Sequence, residues 1–404
     1  RLDYEVYAWD LSVRTSHLDQ THGYFNGTAL FLLAKGLHDQ PHFVELKPPE
    51  DPLCTNWKVA TTLPRQSGGQ WGFGEFQAAD YDELIDHPVE MGTFDQFAFE
   101  ANGVPHDVVI TGKHDTNIEK LKEDLTHICE TELNFFGGKS PIERFLFLVM
   151  VVGQGYGGLE HRASTSLLTR RSDLPAHGEL ESTEGYRNFL GLCSHEYFHL
   201  WNVKRIRPAA FIPFDLSQEA HTTLLWAFEG ITSYYDDLLL LHSGRISLEH
   251  YLELIGKNFT RVYRGKGRLK QTLADSSYNA WTKFYRQDEN APNSLVSYYK
   301  KGALVAMVLD LEIRRATDGQ ASLDDVMQRL WVEHGQTGIG VPEDGVERIC
   351  SEVAQTDLSA FFDQAIRSTE DLDFASILAH FGVQLHFRAA DSNDDIGGKK
   401  GKFN

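Results

Sequence analysis

The sequence predicts an α+β protein: a β-rich N-terminal region over residues 1–112, followed by a mostly helical region over 113–388. Three observations carry this. Apolar and polar residues alternate with period two up to about residue 112. Helical periodicity begins abruptly at 116 and recurs from about 183. Gly, Pro, Asn and Asp cut the first region into short runs, as they do in antiparallel β structure. A chain of 404 residues has room for two or three cores of this kind.

The β runs are YEVYAWDLSV, HFVELK, NWKVATTLP, FDQFAFEAN and HDVVITG, rich in β-branched and aromatic residues. Residues 116–138 then read as a helix, with Thr116 or Asn117 as N-cap and a glycine stop. The apolar run over 144–152 is a buried strand, and 153–158 is a glycine-rich turn. Helices are expected over 183–203, 219–242, 247–261, 299–316, 323–334 and 344–354. The tail 389–404 is charged and glycine-rich and reads as a linker. No internal repeat is visible.

Composition narrows the function. Hydrophobic residues make up 41% and charged residues 24%, ordinary for a globular protein. A net charge of −20 argues against nucleic acid and anionic membrane surfaces as partners. No apolar run approaches the ~20 residues that span a bilayer. Cys54, Cys129, Cys193 and Cys350 are widely spaced and form neither a disulfide framework nor a zinc ribbon. The chain opens on a strand-like run, so no signal peptide is read and the compartment stays open. Asn26-Gly27-Thr28 and Asn258-Phe259-Thr260 match the glycosylation triplet, a pattern too frequent by chance to carry weight.

The chemistry is concentrated in GLCSHEYFHLWNVKRIRP, residues 191–208. His195 and His199 are four residues apart, so on a helix they share one face and can reach one metal ion. Glu196 is rotated by about 100° from His195, where a general base stands beside a metal rather than on it. The competing reading is an amphipathic helix that happens to carry two histidines, and a third ligand would decide. Glu229 is the candidate: the segment around it, EAHTTLLWAFEGITSYYDDLLLLH (219–242), is apolar on nearly every side. A carboxylate buried there needs a charge partner, either a metal or a structural cation. Asp236, seven residues on, is either a surface acid or a group that orients a ligand histidine. The basic residues Lys204, Arg205 and Arg207 either complement the helix C-terminus or hold a substrate carboxylate.

The strings HEYFHLWNVKRIRP and LLWAFEGITSYYDD, with YAWDLSVRTSHLDQTHGYFNGTALFL near the start, resemble the glycyl aminopeptidase family of bacterial zinc metallopeptidases. That resemblance covers nearly the whole chain. It implies a β N-terminal domain, a thermolysin-like catalytic domain, and a C-terminal PDZ domain of which no sequence follows the tail here. It also implies one Zn²⁺ per chain held by His195, His199 and Glu229, with Glu196 as general base. The implied substrates are peptides with a free N-terminus, preferably small residues such as Gly or Ala.

Two further elements gain meaning from the resemblance. Tyr299-Lys300-Lys301-Gly302 is similar to a Y-x-K-G element of related aminopeptidases, whose tyrosine donates to the oxyanion; Tyr298 is the less favoured neighbour. GGLEH, residues 157–161, is similar to their G-x-M-E-N element. That assigns Gly157 and Gly158 to backbone contact with the substrate and Glu160 to its α-amino group. Leu159 and His161 depart from the pattern. Gly153, Gly155 and Gly158 also spell G-x-G-x-x-G, but no convincing helix follows to receive a dinucleotide phosphate. Two alternatives remain: an endopeptidase with the same zinc chemistry, and a non-catalytic peptide-binding scaffold with structural zinc.

Overall fold

The computed structural model describes residues 1–178 and 182–399. The described residues divide into two compact units: 1–134 with 138–178 and 182–200, and 135–137 with 201–399. Sheets dominate the early part of the first unit and helices the second, so the α+β expectation holds. Residues 400–404 of the tail lie outside the described residues.

In the first unit the chain runs through β1 (Ser16–Leu18), β2 (His22–Phe25), β3 (His42–Leu46), β4 (Lys58–Ala60), β5 (Gly74–Ala78), α1 (Tyr81–Ile85) and β6 (Val89–Gly92). It continues through β7 (Phe94–Ala101), β8 (Val104–Thr111), α2 (Ile118–Phe135), β9 (Phe145–Val152), β10 (Gly157–Glu160), β11 (Ser164–Arg170) and α3 (Glu184–Phe198). Antiparallel pairs order β1-β2-β6-β4 in one sheet, and β3 pairs with β5 in a second. Phe25, Val59, Phe76, Tyr81 and Val89 close a core between these elements.

The largest sheet has the order β10-β11-β9-β8-β7. Its centre is parallel, β8 with β9 and β9 with β11, which explains why β9 is the unbroken apolar run FLFLVMVV. The outer pairs, β7 with β8 and β10 with β11, are antiparallel. Strands on both sides of residue 112 are therefore hydrogen-bonded neighbours. Helix α2 makes the connection from β8 to β9. Asn117 Oδ1 caps it by accepting from the Lys120 amide at 3.2 Å, and Gly138, at φ +77°, closes it by donating to Leu133 O at 2.7 Å. Of the expected glycine turn only its first part is a loop, because Gly157 and Gly158 already belong to β10. Strand β11, not a helix, follows it.

The second unit contains a five-residue π-turn (Trp226–Gly230), α4 (Thr232–His242), α5 (Leu248–Arg264), α6 (Leu273–Tyr278), α7 (Ala291–Ser294) and α8 (Lys300–Ala316). Then come α9 (Leu323–Leu330), α10 (Gly345–Ala354), α11 (Ser359–Ala365) and α12 (Phe374–His380). The helix expected from 219 starts only at Trp226. Glu343 withholds the preceding residues: it accepts from Thr222 Oγ1 at 2.6 Å and from the Thr223 amide at 2.9 Å. Helix α8 is the centre of the unit, buried from Lys301 through Asp310. Asp310 ties it down by accepting from Tyr234 Oη at 2.8 Å and from the Leu323 amide at 2.9 Å. After α12 the chain has no regular structure among its described residues, yet Asp395 accepts from Arg388 Nη2 at 3.1 Å and closes it into a loop.

Candidate active site

The helix that carries His195 and Glu196 is α3, and it is buried on nearly every side, with Tyr186, Phe189, Cys193, Tyr197 and Phe198 each 1% exposed or less. An amphipathic surface helix is therefore ruled out. Thr183 starts it by accepting from the Tyr186 amide at 3.1 Å. Three side-chain bonds fix it in place. Tyr186 Oη donates to Asp124 Oδ2 at 2.6 Å, and Ser194 Oγ to Glu132 Oε1 at 2.8 Å, both on α2. Tyr197 Oη donates to His106 Nε2 at 2.9 Å, on β8. His106 Nδ1 donates in turn to Val104 O at 2.8 Å; burial outweighs that bond and pulls the pKa down to about 4, so this imidazole is neutral near pH 7.

The helix ends earlier than residue 203. His199 is its C-cap, and Val203 adopts φ +109°, which no helix tolerates. His199 is 1% exposed and His195 half-buried. Their rings meet edge to face at 87°, with Nε2 atoms 3.1 Å apart. Two tetrahedral ligands with zinc–nitrogen bonds of about 2.0–2.1 Å stand roughly 3.3 Å apart, so the pair fits one zinc ion.

Glu196 is buried and packs against the edge strand β10. A Cβ built on Gly158 would stand 2.5 Å from the Glu196 Cδ, so any larger residue there must displace the Glu196 carboxyl or the strand. Side chains at i and i+2 of a strand face the same way. The half-buried Glu160 therefore shares the Gly158 face, toward Glu196, while Gly157 faces away into open space. Leu159 and His161 alternate to the other side. His161 is buried and donates from Nδ1 to Asp86 Oδ1 at 3.1 Å, with Arg162 Nε on Oδ2 at 3.1 Å. This departure from the expected pattern is thus absorbed by a local ion-pair network.

In the second unit the π-turn presents Glu229, half-buried among the buried Trp226, Phe228 and Gly230. A π-turn breaks the regular hydrogen-bond ladder, and such turns cluster at functional sites. Asn202 takes up the displaced carbonyls, donating from Nδ2 to Ala227 O at 3.2 Å and Phe228 O at 3.1 Å, with Thr232 Oγ1 at 3.0 Å. Sequence reasoning missed Asn202; its only signal is its place three residues after His199. Gly230 and Gly302 let the turn and α8 meet backbone to backbone. A Cβ on Gly230 would stand 2.6 Å from the Gly302 Cα, and one on Gly302 would stand 2.9 Å from the Gly230 Cα.

That contact brings Tyr299 to Glu229. Burial first, then the Glu229 charge, hold the Tyr299 phenol well above its ordinary pKa, and it stays protonated. Tyr299 Oη shares a 2.9 Å hydrogen bond with Tyr285 Oη, a second residue without a sequence signal. Tyr298 is 1% exposed and stacks on Tyr299 at 4.6 Å. Asp236 Oδ1 accepts from the Asp237 amide at 2.6 Å on α4. Of the basic run, Arg207 lies over the Phe214 ring, 5.7 Å from its centroid.

The chain matches two family models: M61 glycyl aminopeptidase over residues 188–305, and the Peptidase M61 N-terminal domain over residues 1–93. Among solved structures it is similar to an aminopeptidase N family protein from Idiomarina loihiensis. That likeness has 44% identity and a TM-score of 0.96, and it covers 98% of this chain and 67% of that one. It also shares its fold with an M1 zinc metallopeptidase from Deinococcus radiodurans, with TM-score 0.56 and 12% identity over 89% of this chain and 73% of that one. A two-domain M1 zinc metallopeptidase solved with L-arginine gives 0.52 and 13% over 88% and 70%. No curated protein sequence matches. On the two models and the 44% identity, the chain belongs to the M61 glycyl aminopeptidase family.

Proposed function

We propose that the chain is a zinc-dependent aminopeptidase that removes small N-terminal residues, glycine or alanine, from peptides. His195, His199 and Glu229 would hold one zinc ion; two imidazoles and a carboxylate are the donor set that leaves a fourth position open. Zinc bound there polarises the scissile carbonyl and makes water acidic enough to act as nucleophile near neutral pH. The domain limits 1–112, 113–388 and 389–404 belong to the same proposal, with the last a linker.

The chain's own residues supply the rest. The Glu196 carboxylate takes the proton of the attacking water and returns it to the leaving amine. Tyr299, protonated, donates to the carbonyl oxygen as negative charge develops on it. A peptide adds to the outer edge of β10 as a further strand, with Gly157 and Gly158 giving the backbone clearance. Glu160 holds the peptide's ammonium and so sets the register at one residue. Support rests on one observation above all: the Glu196 carboxyl packed against Gly158, on the strand face that Glu160 shares.

Gly- and Ala-p-nitroanilide tested beside their N-acetylated forms check the exopeptidase reading. Release from the free amines alone, with a KM raised about tenfold or more by Glu160→Gln, is expected, because a charge-assisted hydrogen bond is lost. Equal cleavage of acetylated substrates would replace the reading with an endopeptidase.

A further inference from the structure

Away from this site, the β1–β2 hairpin gathers three metal-binding side chains. His17 and His22, 9% and 1% exposed, face each other with Nδ1 and Nε2 only 2.9 Å apart. Asp19 adds a carboxylate, and one ligand atom from each of the three residues lies within 4.8 Å of the other two. We propose that His17, Asp19 and His22 form a metal site that takes a divalent transition ion, zinc foremost, and clamps the hairpin.

The local structure pre-forms the set. The hairpin turn is closed by the Asp19 amide donating to His22 O at 3.0 Å. Asp19 Oδ1 accepts from the amides of Thr21, at 2.6 Å, and His22, at 3.1 Å, so the ligand is held before any ion arrives. His22 Nδ1 donates to Glu90 Oε1 at 3.1 Å. That bond leaves the His22 Nε2 lone pair aimed at His17, and a carboxylate behind a histidine is the usual device that orients a metal ligand. With no ion, one proton lies between the two inner nitrogens; an ion would take its place, that proton leaving to His17 Nε2 or to water, so that both nitrogens can bind the metal.

The charges are complementary. The Asp19 carboxylate offsets part of a dication's charge, and the Glu90 carboxyl stands behind His22; a cation held among buried groups requires such compensation. Two imidazoles and one carboxylate suit zinc or its neighbours rather than calcium or magnesium, which prefer oxygen alone. Asp19 is half-buried, so the site has an entry path, and water completes the coordination. Trp9, stacked on His17 at 5.1 Å, shields the other side of the ring.

The test is zinc stoichiometry of the whole chain, stripped with a chelator and re-dialysed against Zn²⁺. The wild type is expected to hold two ions, and Asp19→Asn and His22→Gln one each. Asparagine keeps the turn bonds, so a loss in Asp19→Asn is not a folding defect. Glu90→Gln is expected to weaken the hairpin site about 10–100-fold. A His195→Gln/His199→Gln variant separates the two sites: it should retain one ion, and retention there supports the hairpin site whatever becomes of the catalytic reading. One ion in the wild type and none in that double variant overturns the proposal, as does an undiminished count in both Asp19→Asn and His22→Gln.

Discussion

Gly158 and Glu196 are in backbone-to-side-chain contact: a Cβ on Gly158 would stand 2.7 Å from the Glu196 Cγ and 2.5 Å from its Cδ. The glycine is needed for clearance rather than for its backbone angle, since its φ lies outside the left-handed region. Gly158→Ala should therefore push Glu196 aside or lift β10 off α3. A misplacement of about 1 Å in a catalytic group costs on the order of 100-fold in rate. We expect kcat/KM for a glycyl substrate to fall by about that factor while far-UV dichroism is unchanged. Gly157→Ala, whose Cβ meets nothing within 4 Å, should fold normally, and any activity it loses would report lost clearance for the peptide rather than a displaced Glu196.

The burial of His106 predicts a pH dependence of stability. His106 has a pKa of about 4 in the folded chain, because burial disfavours its cation, against 6.5 when exposed. The unfolded chain therefore binds the extra proton first. The contribution is fully present above pH 6.5 and is lost as pH falls toward 4, by up to about 3 kcal/mol. His106→Gln, whose amide can serve both neighbours, should flatten the slope of unfolding free energy between pH 6.5 and 4 relative to wild type. Parallel slopes in denaturant titrations across that window would contradict this assignment.

Gly230 and Gly302 bring the π-turn and α8 together backbone to backbone. Alanine at either position must separate the turn from α8, since the atoms it meets are main-chain atoms. Overpacking of this kind costs about 1–3 kcal/mol. Gly302→Ala should lower the unfolding midpoint and reduce activity together, because Glu229 and Tyr299 flank the same contact. Lost stability with full activity would show that the contact is only structural.

What the sequence revealed was local. The 3.6-residue period located α5, α8, α9 and α10 closely, and H-E-x-x-H placed two imidazoles on one turn. The unbroken apolar run of β9 told of burial but not of its two parallel neighbours, whose pairing spans α2 and the β10 hairpin. Helix ends were misjudged where side chains from elsewhere intervene: Glu343 holds Thr222 and Thr223, and Val203 turns at positive φ. Asn202 and Tyr285 escaped notice for the same reason. Their partners, Phe228 O and Tyr299 Oη, are distant in sequence, and an asparagine or tyrosine alone carries no motif. Gly158 was flagged by resemblance, but its physical task, clearance for Glu196, is a tertiary contact.

The central claim is that Glu196 is the proton-transfer group of a zinc site. Hydrolysis of Gly-p-nitroanilide, measured for wild type, for chelator-treated protein and for Glu196→Gln with its zinc content determined in parallel, tests it most directly. The account predicts that Glu196→Gln keeps its catalytic zinc and loses about 10²–10⁴-fold in kcat, and that chelation abolishes activity until zinc is restored. Activity within a few-fold of wild type in zinc-loaded Glu196→Gln, or hydrolysis indifferent to chelation, would contradict it.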